Sequence, residues 1–547
     1  MKKNFLIAAF CSFALALCTL FASCSNSSDN TSMVAAWLAS QKKSDDWLFL
    51  CYFDADDSNI NDDLYKNIRD IECAFAQTRN ADGSPKEGYA KVTALVLWDG
   101  ISEEKKQAQK YIHPDGALYE IGADYSLSYV PQSGNEYGAG YVQLGEGFSV
   151  GPNTKDLTEQ ARDWLPKEPT MSDPATLTNF LKWAKARYSA SNVVVCLQDH
   201  GAGTHKETYT DSNASMISAS LCSDASDDTK RLLTCKNITD ALSAAGYTGA
   251  DKPKILWNDL CLQATAEILW NYKGCADYYC SSANVSCMPD YYGVFTNIKS
   301  GMTALDVGKV IVSAYMHRYY KEPIEHPADA ESAKDSRSSG CSVYTSSFMS
   351  LDPQKALALK DGVDKLSDDL LKIKENDSNL FYSIFLNYMA QDVSSLGNCK
   401  GLAYCGSFAW LNDLGWLCLD IAYDIDLPAA AQKSALSLFE LLKNGDDKLI
   451  IYSWGGRRVL KNAQDGYSWD ETYDDQLYLT GKKDFISQKD VKTVEKTCAY
   501  GLSIVGSNWT NATEENNPIF HYVDWTGFSE SWGQVIKAWW DLYKTSN

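Results

Sequence analysis

Four apolar runs that lack period-two alternation constrain this chain most. They are Trp47–Phe53, Val92–Trp98, Val193–Gln198 and Ile255–Trp257. A strand with one wet face alternates apolar and polar residues. A strand buried on both faces does not, which is the habit of parallel sheets covered by helices. Between the second and third runs, Ser172-Asp173-Pro174 opens a helix. Asp173 can cap it and Pro174 suits its first position. Leu177, Phe180, Leu181, Ala184 and Tyr188 then recur at helical spacing, giving one apolar stripe. Leu262 to Tyr272 reads as a helix directly after the fourth run. Further on, Asp329 to Gly340 reads as a polar loop, and Asp352-Pro353 opens a helix carrying Leu357, Val363, Leu366 and Leu370. Alternating strands and helices predict an α/β fold with a mostly parallel central sheet.

Two of the runs end in reactive side chains. Val193-Val194-Val195-Cys196-Leu197-Gln198 continues into Asp199-His200-Gly201, and Lys254-Ile255-Leu256-Trp257-Asn258-Asp259 continues into Leu260-Cys261. Open α/β sheets bind ligands at the carboxyl ends of their strands. His200 and Cys261 are therefore expected over one crevice, where a histidine can turn a thiol into a thiolate nucleophile. His205, five residues on, is a rival base without the strand-end position. Gly147-Phe148-Ser149-Val150-Gly151 matches the G-x-S-x-G pattern of serine hydrolases. That motif needs a strand before it and a helix after it, whereas Pro152-Asn153 and a polar stretch follow here.

The N-terminus reads as an export signal, with Lys2 and Lys3 ahead of an apolar stretch from Phe5 to Ala22. Leu20-Phe21-Ala22-Ser23-Cys24 resembles a bacterial lipobox, which implies cleavage before Cys24 and lipidation of it. Residues 1–23 are then the signal peptide and 24–44 the lipidated cysteine and tether. The expected address is the bacterial cell envelope, lipid-anchored at the outer membrane or cell surface. Net charge is −21, and −23 once Lys2 and Lys3 are lost, which argues against nucleic acid as a partner. Of 17 cysteines, Cys11, Cys18 and Cys24 belong to the signal, leaving 14. No CxxC pair occurs, so no zinc site is expected. Cys275, Cys280 and Cys287 are close enough for a local disulfide, and Cys51 and Cys196 read as buried fillers. Seven tryptophans follow residue 450 and read as core anchors rather than a sugar-stacking surface.

Several of these motifs, in this order, resemble the clostripain-like cysteine peptidases, relatives of the caspases, legumain and gingipain. Trp47–Glu72 resembles the family's opening strand, acidic turn and helix. Ser172–Gly203 resembles its helix, strand and His-Gly motif, and Asp227-Asp228-Thr229 an element ahead of the nucleophile strand. Asp259-Leu260-Cys261-Leu262 with Glu267 resembles its Asp-Ala-Cys-Leu motif and downstream glutamate, and Gly501-Leu502-Ser503-Ile504 a late strand. The resemblance implies a caspase-like α/β/α sandwich over residues 45–330, with 341–547 as a C-terminal α/β elaboration packed on or wrapping it.

It also implies roles. Cys261 would attack the scissile carbonyl, and His200 would protonate the leaving amine and later activate water. The backbone N–H groups of Gly201 and Cys261 would form the oxyanion hole. Asp259, and secondarily Asp290, would bind an Arg or Lys ahead of the cleaved bond. Lys230 and Arg231 are self-cleavage candidates in a polar stretch. The implied partners are a peptide or protein substrate and, through the lipid, a membrane; a monomer is expected. No metal and no cofactor is required, although some relatives depend on calcium. The aspartates at 54, 56, 57, 62 and 63 look calcium-like but lack the EF-hand glycine and terminal glutamate. Three departures stand out: Leu260 in place of a small residue, Asp199 in place of Asn, and Asn284 where an acid is expected. A catalytically inactive surface lipoprotein binding peptides in the same cleft is the alternative, with Leu260 as its motive.

Overall fold

A computed structural model describes residues 42–56, 60–101, 116–130, 141–142, 149–204, 219–221, 232–283, 289–320, 343–389, 411–457, 459–462, 466–468, 501–506 and 522–546. Cys24 and the apolar segment before it, Asp57, His205, Asp227–Thr229, Lys230, Arg231, Asn284, Cys287 and the 329–340 stretch lie outside the described residues.

The four apolar runs are the centre of a nine-stranded sheet. In chain order its strands are β1 (Lys43–Ala55), β2 (Val92–Gly100), β3 (Gly116–Glu120), β4 (Lys155–Asp156), β5 (Tyr188–Gln198), β6 (Ile255–Asp259), β7 (Tyr278–Ser281), β8 (Val343–Ser350) and β9 (Ile450–Arg457). Their spatial order is β9-β8-β7-β6-β5-β1-β2-β3-β4. The five strands from β7 to β2 run parallel. The two strands at each flank are antiparallel.

The runs are continuously apolar because both faces are covered. Leu48, Leu50 and Tyr52 of β1 enter one core, and Trp47, Phe49, Cys51 and Phe53 enter the other. Fully burying each large side chain is worth about 1.5–3 kcal/mol. On the second face lie helices Asn61–Thr78, Tyr291–Asn297 and Ala304–Tyr320. On the first face lie Pro174–Arg187, Cys235–Ala244, Ala266–Tyr272, Pro353–Asn376 and the C-terminal helix Glu530–Ser546. The architecture is the expected α/β/α sandwich.

Asp173 caps the helix from Pro174, accepting from the Ala175 N–H at 2.9 Å, and Asp352 does the same for the helix from Pro353. One boundary differs. The helix expected from Leu262 begins at Ala266, capped by Thr265, whose hydroxyl accepts from the Ile268 N–H. Residues 260–265 are instead an irregular turn, and the sequence hid it because every position there suits a buried helix.

Described residues after 341 contribute to the sheet and the first-face core. β8 and β9 extend the sheet beyond β7, and Trp532 and Trp539 are buried. Trp532 Nε1 donates to the Val505 carbonyl at 2.8 Å, and Trp539 Nε1 to that of Phe381 at 2.9 Å. These indoles are core anchors with a satisfied polar edge. Cys275 and Cys280 are free thiols, as are Cys51 and Cys196, so no disulfide joins that local pair. Among the described residues no helix is long and apolar enough to cross a membrane.

Candidate active site

β5 and β6 are adjacent parallel strands, and their last residues, Gln198 and Asp259, are register partners. Two residues beyond each stand His200 and Cys261. The strand ends converge so closely that only glycine fits at position 201. A Cβ there would lie 2.8 Å from the Cys261 amide nitrogen and 3.0 Å from the Leu260 Cβ, and would overlap the Cys261 carbonyl oxygen. His200 is exposed and Cys261 partly buried, as a histidine–cysteine pair open to substrate must be. Asp199, between strand and histidine, is buried.

The turn that carries Cys261 is fixed from three sides. Leu262 adopts φ 63°, the one left-handed non-glycine residue among those described. A branched side chain costs about 1–3 kcal/mol there. Leu262 is fully buried in the first-face core, which offsets that cost. From β7, Tyr279 OH donates to the Gln263 carbonyl at 3.0 Å, and the Ala264 N–H donates to the Ser282 carbonyl at 2.8 Å. From the C-terminal region, the Ser503 N–H donates to the Ala264 carbonyl at 2.9 Å. Glu267 then ties the following helix to the same region, accepting from the Val505 N–H at 3.1 Å and Tyr522 OH at 2.6 Å. Burial pushes the Glu267 carboxyl above its ordinary range.

The departures from the family pattern can now be located. Leu260 is 1% exposed and belongs to the first-face core, so its bulk does not reach the crevice. Asp259 is nearly buried, and its Oδ2 accepts from Gln198 Nε2 at 2.5 Å and Tyr291 OH at 3.0 Å. Tyr291 is held by its ring, stacked on Trp257 at 5.1 Å and edge-on to Phe53 at 5.8 Å, with its hydroxyl 3.4 Å from Cys196 Sγ. Burial, and next the Asp259 charge, push its phenol well above the ordinary value, so it stays protonated and donates. Asp290 has a different place. It caps the helix Tyr291–Asn297, accepting from the Gly293 N–H at 2.9 Å. It also lines an open cleft of about 620 Å³ with Tyr129 and Tyr292, whose rings stack at 3.9 Å.

Gln198 and Tyr291 were not among the sequence candidates. Gln198 carried a signal: a polar residue closing an apolar run, with the same strand parity as His200. Tyr291 carried none, because its approach to Asp259 is purely tertiary. Of the G-x-S-x-G pattern, Ser149 to Gly151 are described: no helix follows them directly, and the Gly151 N–H is committed to Glu72 Oε1 at 2.7 Å. Among the described residues no group of three or more His, Cys, Asp or Glu side chains is arranged to hold a metal ion.

His200 and Cys261 thus each follow, by two residues, the end of one of two adjacent parallel strands, the second of which ends in the buried Asp259. The model of the clostripain family, peptidase C11, matches residues 154–539, and the chain belongs to that family. Membership in a family of cysteine peptidases implies a hydrolase. Among solved structures it is similar to a secreted C11 cysteine protease from Bacteroides thetaiotaomicron, determined with an irreversible peptide inhibitor. They share 12% identity, with 90% of this chain and 99% of that chain covered and a TM-score of 0.46. An inactive zymogen C11 protease from Parabacteroides distasonis is 14% identical, with 90% and 97% covered and a TM-score of 0.43. No curated protein matches the chain.

Proposed function

We propose that the protein is a lipid-anchored, exported cysteine endopeptidase that cleaves after Arg or Lys. Cys261 is the nucleophile. His200 takes up the thiol proton, gives a proton to the leaving amine, and then activates water to hydrolyse the thioester. The N–H groups of Gly201 and Cys261 receive the negative oxygen of each tetrahedral intermediate, donors typically worth about 3–4 kcal/mol each. Asp259 receives the basic side chain of the substrate through a charge-assisted hydrogen bond. Asp290 is the weaker candidate for that role, since its carboxylate already caps a helix. Cys24 carries the lipid, the chain works as a monomer at the bacterial cell envelope, and Lys230 or Arg231 is where it cuts itself.

The observation that supports this reading is the close approach of Gly201, next to His200, to the Cys261 backbone. The test uses fluorogenic peptides with Arg, Lys, Ala, Asp or Leu ahead of the reporter, offered to the protein and to Cys261→Ala. Cleavage after Arg or Lys that vanishes in the variant supports the whole assignment. Cleavage only after another residue keeps the nucleophile and removes Asp259 from its role. Cleavage that persists in Cys261→Ala overturns the nucleophile.

A further inference from the structure

Ser503 is the one polar residue in the fully buried run Leu502-Ser503-Ile504-Val505. Its hydroxyl donates to the Ala264 carbonyl at 3.2 Å, the same oxygen that accepts the Ser503 N–H at 2.9 Å. Both lone pairs of that carbonyl are therefore filled by one residue. On the other side of Ala264, its N–H donates to the Ser282 carbonyl at 2.8 Å. The segment that carries Ser503 is anchored in turn. It pairs antiparallel with Leu411–Asp413, and the Gly501 N–H donates to Asp413 Oδ2 at 3.2 Å. Ser347 Oγ, from β8, donates to the Gly501 carbonyl at 2.6 Å. Ala264 is thus tied to the central sheet by way of β8, while the turn itself begins at the end of β6.

We propose that Ser503 is a positioning residue for Cys261. The inference rests on the reading that Cys261 is the nucleophile and His200 its base. Between Cys261 and Ala264 stands Leu262, at φ 63°. A residue held in that region persists only where its surroundings over-determine it. Relaxation of Leu262 to an ordinary φ would move Cys261 and Ala264 relative to each other. The two bonds from Ser503 hold Ala264, and the Gly201 backbone packs against Cys261, so that relaxation is blocked. Ser503 is itself buried away from substrate and acts only through the turn. Asp259 lies in β6, ahead of the turn, so substrate binding is left as it is.

The test uses the full chain, Ser503→Ala, Ser347→Ala and a comparator, Ser367→Ala. Ser367 is equally buried, and its Oγ donates to the Val363 carbonyl at 2.7 Å within the helix Pro353–Asn376. For each, kcat and KM are measured on one fluorogenic peptide. The rate of Cys261 alkylation by iodoacetamide is followed against pH, with the adduct mapped by mass spectrometry. In Ser503→Ala, kcat is expected to fall about tenfold, the effect of one hydrogen bond, with KM within about twofold of the parent. The midpoint of the alkylation profile should rise toward the ordinary thiol value of about 8.5, because the thiol no longer sits squarely beside its base. Ser347→Ala, which loosens the same segment at Gly501, should give the same split in smaller measure. Ser367→Ala should lower the melting temperature and move neither kcat nor the profile. An active parent whose kcat and alkylation profile are unchanged in Ser503→Ala overturns the inference and leaves the nucleophile standing. So does an equal loss of kcat in Ser367→Ala. If Ser503→Ala does not fold, Ser347→Ala decides by the same criteria. A parent that cleaves no peptide and alkylates at Cys261 like an ordinary thiol overturns the reading of the nucleophile, and the inference with it.

Discussion

The Gly201 Cα lies against the backbone of Cys261, so close that a methyl group on it would overlap the Cys261 carbonyl oxygen. The contact follows from strand register. Gln198 pairs with Asp259, and the two chains leave the sheet in step. The first consequence is for Gly201→Ala. The added methyl cannot be absorbed by a side-chain shift, because the neighbours are backbone. Separating the strand ends by even about 1 Å costs about a hundredfold in rate. We expect kcat/KM to fall a hundredfold or more. Melting temperature should fall only modestly, since the overlap is confined to the end of the sheet. Activity within tenfold of the parent would contradict the geometry.

Glu267 is a fully buried carboxyl braced by two donors on one oxygen, with no cation among its hydrogen-bond partners. Its proton affinity is raised in the folded state, so the native protein holds that proton more tightly than the unfolded chain does. The resulting stability is fully present below the ordinary glutamate value of 4.5 and is lost as pH rises through the folded value. Glu267→Gln keeps the acceptor for Tyr522 and Val505 and has no charge to bury. The variant should match the parent in melting temperature near pH 4 and equal or exceed it at pH 8. A variant less stable at pH 8 than at pH 4, relative to the parent, would contradict this sign.

On the second face, Arg69 is buried between two carboxylates, paired with Glu72 and with Asp124 Oδ2 at 2.8 Å. Glu72 in turn accepts from the Gly151 N–H and Thr154 Oγ1, tying the loops at 121–126 and 149–154 to the helix Asn61–Thr78. Removing one partner of a buried ion pair leaves an uncompensated charge and costs about 3–5 kcal/mol. Arg69→Met is expected to lose about that much in denaturant unfolding. A loss below about 1 kcal/mol would show the network to be only a surface contact.

The sheet was legible because apolar runs and caps act locally. Val193–Gln198 and Ile255–Trp257 could only be doubly buried strands, and Asp173-Pro174 and Asp352-Pro353 opened helices where they were expected. That His200 and Cys261 follow neighbouring parallel strands was legible because each ends such a run, and strand ends define a crevice in this class of fold. The turn at 260–265 was not. It is shaped by Tyr279, Ser282 and Ser503, which lie up to about 240 residues away, and no local signal announces a left-handed Leu262. The Asp259 environment was missed for the same reason. Only folding brings Tyr291 to it, and Leu260, which stands in place of a small residue, lies in the first-face core.

The central claim is that Cys261 is the nucleophile and His200 its base. Its most direct test is to treat the full chain at neutral pH with a thiol-reactive peptide ending in Lys, then map the adduct by mass spectrometry. The account predicts one adduct, on Cys261, at a rate that falls at least a hundredfold in His200→Ala while the other cysteines stay unlabelled. Labelling of another cysteine in preference to Cys261, or a rate unchanged in His200→Ala, would contradict it.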